Sequence, residues 1–311
     1  MPKESHSTLI KQKALTLGFT ACGIARARKL DEEEGRLKSF LNNNYQGKMG
    51  YLANHFDKRL DPTMLVPRAK SMVVVLLNYF PHQFQTGKGA PILSKYAYGK
   101  DYHLVIKEKL QQLFEFINQE IAPTEGRMFT DSAPVLERAW AVEAGLGWIG
   151  KNGLLLNKTL GSFFFIGELI IDLELEYDQP FEKEYCGSCN QCLNACPTKA
   201  LVKPYTLDAR RCISYHTIEL KEDTPVEFKP LLMNRIYGCD ICQDVCPWNQ
   251  RPQPHNTPEF RPKLELLEMG KEDWQQLSKE KFNELFQQSA VKRASYEKLK
   301  QNIENVISPQ E

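Results

Sequence analysis

Cys186-Gly187-Ser188-Cys189-Asn190-Gln191-Cys192-Leu193-Asn194-Ala195-Cys196-Pro197 spaces its cysteines as C-x2-C-x2-C-x3-C-P, and Cys239-Asp240-Ile241-Cys242-Gln243-Asp244-Val245-Cys246-Pro247 answers it downstream. Three closely spaced thiolates ligate one [4Fe–4S] cubane, while the fourth, sent away by the proline, reaches the iron of a second. The downstream run is one cysteine short, and Cys212, without a partner of its own, fills the gap. The predicted ligand sets are Cys186, Cys189, Cys192 and Cys246 for the first cluster, and Cys196, Cys212, Cys239 and Cys242 for the second. Zinc sites more often use two pairs or Cys/His mixtures. Disulfides need an oxidising compartment, for which no export signal is seen.

The chain of 311 residues is long enough for two cores. Its 42% hydrophobic and 25% charged residues are those of a soluble globule. Met1-Pro2-Lys3-Glu4-Ser5-His6 lacks the apolar core of an export leader, and no twin-arginine pair is near. The longest apolar runs, 71–80 and 163–175, are too short or too acidic to span a bilayer. A cytoplasmic protein without membrane contact, acting as a monomer, is expected. The net charge of +1 means that any nucleic-acid site must be a local patch.

Apolar spacing predicts a helix over 8–17, a small-residue strand over 19–25 and a helix over 31–44. Cys22, the ninth cysteine, reads as a core thiol. Ser71 to Tyr79 is β-branched and continuous, a strand buried on both faces. A helix to Ile121 carries Ile106, Leu110, Leu113, Ile117 and Ile121 on one stripe. At Phe129-Thr130-Asp131-Ser132-Ala133-Pro134 a strand is expected to pass into a helix over 135–144, with Ser132 as N-cap and Pro134 in the first turn. Residues 161–175 read as strand. Pro252, Pro254, Pro258 and Pro262 suggest a stiff linker, and Trp274, Leu277, Phe282, Leu285 and Phe286 give the tail an apolar face. The expected domains are 1–177, 178–252 and 253–311, the last being linker and tail.

A two-cluster module moves single electrons and does not name a substrate. A radical-SAM triplet C-x3-C-x2-C, a Walker loop and a G-x-G-x-x-G opening a helix are all missing. Asp101-Tyr102-His103 begins a corrinoid D-x-H-x-x-G box, but Ile106 stands at its glycine.

Tyr96-Ala97-Tyr98-Gly99-Lys100-Asp101-Tyr102-His103, then Asp131-Ser132-Ala133-Pro134-Val135-Leu136-Glu137-Arg138, then Gly147-Trp148-Ile149-Gly150-Lys151-Asn152 and the two cysteine runs together resemble the epoxyqueuosine reductase family. The resemblance implies an α+β architecture: an N-terminal corrinoid-binding α/β domain of reductive-dehalogenase or nitroreductase type, a two-cluster ferredoxin-like module and a short helical tail. It implies reduction of epoxyqueuosine to queuosine at the wobble base of tRNA, using cobalamin, two [4Fe–4S] clusters and an external donor of flavodoxin or ferredoxin type. Longer relatives carry C-terminal helical repeats that help grip tRNA, so that contact is expected to be abbreviated in this chain. A corrinoid reductive dehalogenase and a non-catalytic ferredoxin-type carrier are the competing readings.

Asp131 is the residue that the resemblance nominates as proton donor. Its plain alternative is a helix N-terminal carboxylate held ionised by backbone N–H groups. Met49, Tyr51, Tyr98, His103, Lys151, Asn152 and Ser214 are the candidate cofactor contacts, each with an alternative in core packing or a polar turn. Lys199, Lys203, Arg210, Arg211 and Arg235 cluster in sequence around the cysteines and are the candidate tRNA phosphate contacts.

Overall fold

The computed structural model describes residues 5–307. Met1 to Glu4, on which most of the expected leaderless start falls, lie outside the described residues. The chain opens with α1 (His6–Thr16), whose Thr8 amide is capped by the Ser5 hydroxyl, and β1 (Ala21–Arg26). In α2 (Asp31–Asn42) Asp31, Glu32, Glu33 and Glu34 occupy the first turn, where the helix dipole favours acids. A short α3 (Phe56–Leu60) leads to β2 (Ser71–Asn78). There follow β3 (Ile92–Leu93), α4 (Tyr102–Phe116), β4 (Gly126–Phe129), α5 (Glu137–Glu143), the hairpin of β5 (Trp148–Ile149) and β6 (Leu155–Leu156), and β7 (Phe164–Ile171).

The main sheet has the order β1-β2-β7-β4, antiparallel throughout, with Val75 of β2 between Cys22 and Gly167. β2 is apolar at every position between its first and last because both faces of the sheet are covered. Val73, Val75 and Leu77 pack with Ile10 of α1 and Ile106 and Leu110 of α4. Met72, Val74 and Leu76 pack with Trp140 and Ala141 of α5. Successive side chains point to opposite faces, so a doubly covered strand needs both parities apolar. Each such fully buried side chain contributes about 1.5–3 kcal/mol. Of the predicted stripe, Ile106, Leu110, Leu113 and Ile117 are buried in the first of these layers, and Ile121 packs against it half-buried.

The β4–α5 connection differs from expectation. The helix begins at Glu137, and Ser132 does not cap it: the N-cap is Leu136, with no side-chain hydrogen bond. Asp131 adopts φ 51°, the left-handed region, and turns the chain out of the strand. A tight turn from the Val135 amide to Ala133 O at 2.8 Å then delays the helix.

Downstream, α6 (Gln191–Ala195), β8 (Leu201–Lys203), β9 (Thr206–Leu207), β10 (Arg235–Tyr237) and α7 (Ile241–Asp244) frame the cysteines. β10 pairs parallel with β3, which ties this region to the first half. The tail comprises α8 (Leu264–Glu268), α9 (Lys271–Gln275), α10 (Lys279–Leu285) and α11 (Tyr296–Ile307).

The proline-rich stretch is no free linker. His255 is buried and donates its backbone N–H to Phe80 O at 2.8 Å, and Phe260 enters the first core. Gly99 allows the approach, since a Cβ there would lie 2.5 Å from Phe260 Cα. The tail is not an appendage either. Trp274, Leu277, Phe282, Leu285 and Phe286 share one core with Leu93, Tyr98, Ile218, Ile236 and Tyr237. Asn302 of α11, fully buried, donates to Thr217 O and Ile236 O, both at 2.9 Å. No helix among the described residues is long and apolar enough to cross a membrane.

Candidate active site

Asp131 is exposed at the end of β4, and its carboxylate is gripped from α4. The Tyr102 hydroxyl donates to Oδ2 at 2.5 Å, and His103 Nε2 lies 3.8 Å from the same oxygen. Tyr102 is fixed by stacking on Phe165 at 4.1 Å and on His103 at 4.1 Å. Burial, and then the Asp131 charge, push the Tyr102 phenol far above its ordinary value, so it stays a donor. Asp101 accepts from the His103 amide at 3.0 Å and pairs with Nδ1 at 2.7 Å. Burial alone would raise Asp101, but the two His103 contacts outweigh it and hold the carboxyl below its usual range.

Two more carboxyls stand behind Asp131. The backbone N–H of Asp131 donates to Glu137 Oε1. Burial, and then the Asp131 charge, push Glu137 up to about 8. Glu168, in β7 opposite Val74 and Phe129, is 0% exposed, and neither of its oxygens has a hydrogen-bond partner. Burial, then Glu137 and Asp131, drive it well above the carboxylate range.

A cavity of ≈ 260 Å³ opens beside Asp131, with Tyr96, Tyr102 and His103 on one wall and Ile218, Glu219 and Tyr237 on the other. Lys292 and Arg293 from the tail stand at its edge, and Arg293 pairs with Glu219 at 2.8 Å. A second cleft of ≈ 290 Å³, between α2, α5 and 181–184, contains none of the Asp131 group. The far wall of the Asp131 cavity belongs to cysteine-bearing segments: Tyr237 lies two residues before Cys239, and Ile218 follows Cys212 by six.

No three ligand-type side chains among the described residues converge as they would on a single ion. The thiols instead act on one another in two sets. Cys192 feels Cys246 and Cys186, and Cys246 feels Cys186 and Cys189. Cys212 feels Cys196, Cys239 feels Cys212, and Cys242 feels Cys239 and Cys212. One electrostatic interaction, between Cys242 and Cys192, joins the sets. Backbone and hydroxyl donors aim at the sulfurs: the Ala200 amide at 3.3 Å from Cys196 Sγ, and the Ser214 amide and hydroxyl at Cys212.

The other predicted residues divide. His103 lines the cavity, and Ser214 sits on the Cys212 sulfur. Met49 packs with Cys212 and Tyr215, and Tyr51 hydrogen-bonds Arg293 near the cavity mouth. Gly47, with φ 57°, makes the turn that brings this loop onto Tyr215. Gln46 Oε1 on the same loop is buried without a partner.

Tyr98 is a correction: it is buried in the tail core, and Tyr96 lines the cavity in its place. Lys151 is another, because its ammonium bonds Gly187 O at 2.5 Å, Cys189 O at 2.9 Å and Asn190 Oδ1 at 3.2 Å. All three of its donors serve the first cysteine loop, leaving none for a corrin amide or a phosphate. Asn152 likewise turns to Cys242 O at 3.4 Å.

Lys199, Lys203 and Arg210 are exposed, and Arg211 and Arg235 half-buried. Arg210 is spent on Asp208, at 2.9 and 2.8 Å, and Arg235 bonds Met233 O at 2.8 Å. Sequence reasoning missed Tyr102, Glu137, Glu168 and Arg293 as site residues. Tyr102 and Glu137 lie within the stretches that carry the family resemblance, and Glu168 is the single acid in the apolar run 163–171.

Residues 185–249 match the family described as 4Fe-4S double cluster binding domain, and 59–132 match the one described as Epoxyqueuosine reductase QueG, DUF1730. The chain is 53% identical over 302 residues to the epoxyqueuosine reductase of Cellulophaga algicola, covering 97% of this chain and 98% of that one. It is 44% identical over 304 residues to that of Escherichia coli, covering 94% and 78%. A crystal structure of epoxyqueuosine reductase with a tRNA-Tyr epoxyqueuosine-modified stem loop matches with TM-score 0.86 at 32% identity, over 96% of this chain and 79% of that one. A catabolic reductive dehalogenase shares the fold, with TM-score 0.50 at 18% identity over 78% and 32%. With half of its residues shared along nearly the full length of a curated relative, and with a double-cluster domain, this chain is an iron–sulfur oxidoreductase that belongs to the epoxyqueuosine reductase family.

Proposed function

We propose that the chain reduces epoxyqueuosine to queuosine at the wobble position of tRNA, the last step of queuosine biosynthesis, with Asp131 as proton donor. The observation that carries this reading is the juxtaposition of Asp131 with the wall residues Tyr237 and Ile218, whose segments lead to Cys239 and Cys212. Removing an epoxide oxygen to leave a double bond takes two electrons and two protons and releases water. Cys186, Cys189, Cys192 and Cys246 would hold one cluster, and Cys196, Cys212, Cys239 and Cys242 the other, in keeping with the two interacting sets of thiols.

The residues between Cys212 and Asp131 fit a corrin. Met49 and Tyr51 offer thioether and aromatic faces, and the orphaned Gln46 Oε1 would accept an amide N–H from the corrin rim. When bound, the clusters supply single electrons and the cobalamin a low-valent cobalt able to attack or reduce the epoxide. Asp131 gives its proton to the departing oxygen. Tyr102 orients that carboxyl and, by donating to Oδ2, stabilises the carboxylate left behind. Asp101 fixes the His103 ring beside it.

The modified base must leave its stack to reach the cavity. Lys292, exposed at the cavity edge, would offer its ammonium to the phosphates flanking it. Lys199 and Lys203 extend the basic surface over the cysteine region, and Arg211 and Arg235 lie half-buried in it. A tRNA substrate implies a cytoplasmic enzyme, and the electrons require an external one-electron donor of flavodoxin or ferredoxin type.

The test is anaerobic protein loaded with both clusters and cobalamin, given reductant and an epoxyqueuosine-bearing anticodon stem loop. Nucleoside mass spectrometry should find queuosine. A loaded enzyme that leaves the epoxide intact but dechlorinates a small organohalide would replace this reading with a dehalogenase.

A further inference from the structure

The reaction proposed above consumes two protons, and Asp131 carries one. Asp131 is exposed, and a carboxyl exposed to water gives no assurance of a second proton once the bound tRNA has closed the mouth of the cavity. The fold puts two further carboxyls behind it, both out of the cavity lining. Glu137 accepts the Asp131 backbone N–H, so it is in register with the loop that carries the donor. Glu168 is fully buried on the face of β7 that meets α5, among apolar side chains, and no protein donor reaches either oxygen. An ionised carboxylate in that position would cost several kcal/mol, and the fold tolerates the neutral acid.

We propose that Glu168 and Glu137 are proton-holding residues that act through Asp131, keeping one proton within the three-carboxyl group to restore Asp131 after its first transfer. This rests on the epoxide reduction proposed above. Burial first, and then the neighbouring carboxylate charge, raise both Glu137 and Glu168 above the usual carboxylate range, so these two hold protons that an exposed acid would have lost. In balance, the first proton goes from Asp131 to the oxygen released from the first carbon. The second carbon–oxygen bond then breaks as the double bond forms, and the oxygen leaves as water on taking the second proton, which Glu137 returns to Asp131. The two electrons come from the external donor. The charged and titratable groups facing the three carboxyls are Tyr102 and His103 from α4, Arg138 from α5, and Tyr51, Tyr96 and Arg293 around Asp131, with Glu33 and Arg36 of α2 behind Arg138. β2 contributes only apolar Val74 opposite Glu168. Glu137 and Glu168 interact, so their apparent values belong to the pair.

Infrared pH-difference spectra of the full chain with clusters bound, but without cobalamin or tRNA, read the stored proton directly. A protonated-carboxyl stretch should be present at neutral pH, fade as pH rises through about 8, and be lost or shifted in Glu168→Gln and in Glu137→Gln. In single turnover on the stem loop, both variants should retain substrate affinity. Both should lose about 10²-fold in rate, with the alkaline limb of the wild-type profile flattened. Absence of any protonated carboxyl at neutral pH overturns the proposal, as does an unchanged pH profile in both variants. A wild type that shows the infrared band but no reduction defeats the reaction assigned above and leaves the stored proton standing.

Discussion

The Tyr102 hydroxyl sits 2.5 Å from Oδ2 of Asp131, across the gap between the start of α4 and the end of β4. The contact stands in for the one a helix start would have given: Asp131 lies six residues before α5, so its carboxylate oxygen takes a phenol O–H in place of backbone amides. Its left-handed backbone costs on the order of 1–3 kcal/mol, a strain that the Glu137 and Tyr102 bonds hold in place.

Asp131→Ala should keep iron and cobalamin and lose turnover, whereas Tyr102→Phe should slow the reduction about 10- to 100-fold, the value of a hydrogen bond to a charged group. Single-turnover rates measured beside absorption spectra of the bound cofactors separate the two effects. An Asp131→Ala protein of wild-type rate would remove Asp131 from the chemistry.

Stability should fall with rising pH between about 4.5 and about 8. Glu137 and Glu168 bind protons more tightly folded than unfolded, so their contribution is full below the unfolded value and is lost as pH climbs through the folded one. Glu168→Gln removes the buried charge and should raise Tm at about pH 9 by a few degrees, at about 2–4 °C per kcal/mol, with little change near pH 4.5. Calorimetry at the two pH values reads this, and a loss of stability at the higher pH would contradict it.

Lys151→Met should leave the sheet intact and loosen the loop Gly187–Asn190, whose carbonyls lose their shared ammonium. Iron should drop toward half, with the signal of the cluster on Cys212 and Cys239 retained in electron paramagnetic resonance. Equal loss from both clusters would show that Lys151 does not serve the first loop in particular.

Asn302→Ala cuts two buried hydrogen bonds that bridge Thr217 and Ile236, the segments running to Cys212 and Cys239. A destabilisation of about 2–3 kcal/mol and faster iron release from the second cluster are expected. Trp274→Ala, in the same core, should cost about 3–5 kcal/mol. Urea titration followed by iron release measures both. Wild-type cluster lifetime in both variants would mean that the tail does not brace the module.

The sequence alone determined whatever depends on local spacing. Cysteine intervals mark the double-cluster module over 185–249, the unbroken apolar run of β2 fixes its burial, and the stripe Ile106, Leu110 and Leu113 fixes the buried face of α4. Tertiary structure decided the rest, because it depends on residues far apart in the chain meeting in space. Lys151 reads as a ligand-binding turn until its ammonium is seen closing a loop 36 residues away. The prolines from 252 read as a spacer until Phe260 is found in the first core. Glu168 reads as a blemish in a strand until β4, two residues short of Asp131, pairs beside it and α5 covers its face, neighbours that no interval in the sequence records.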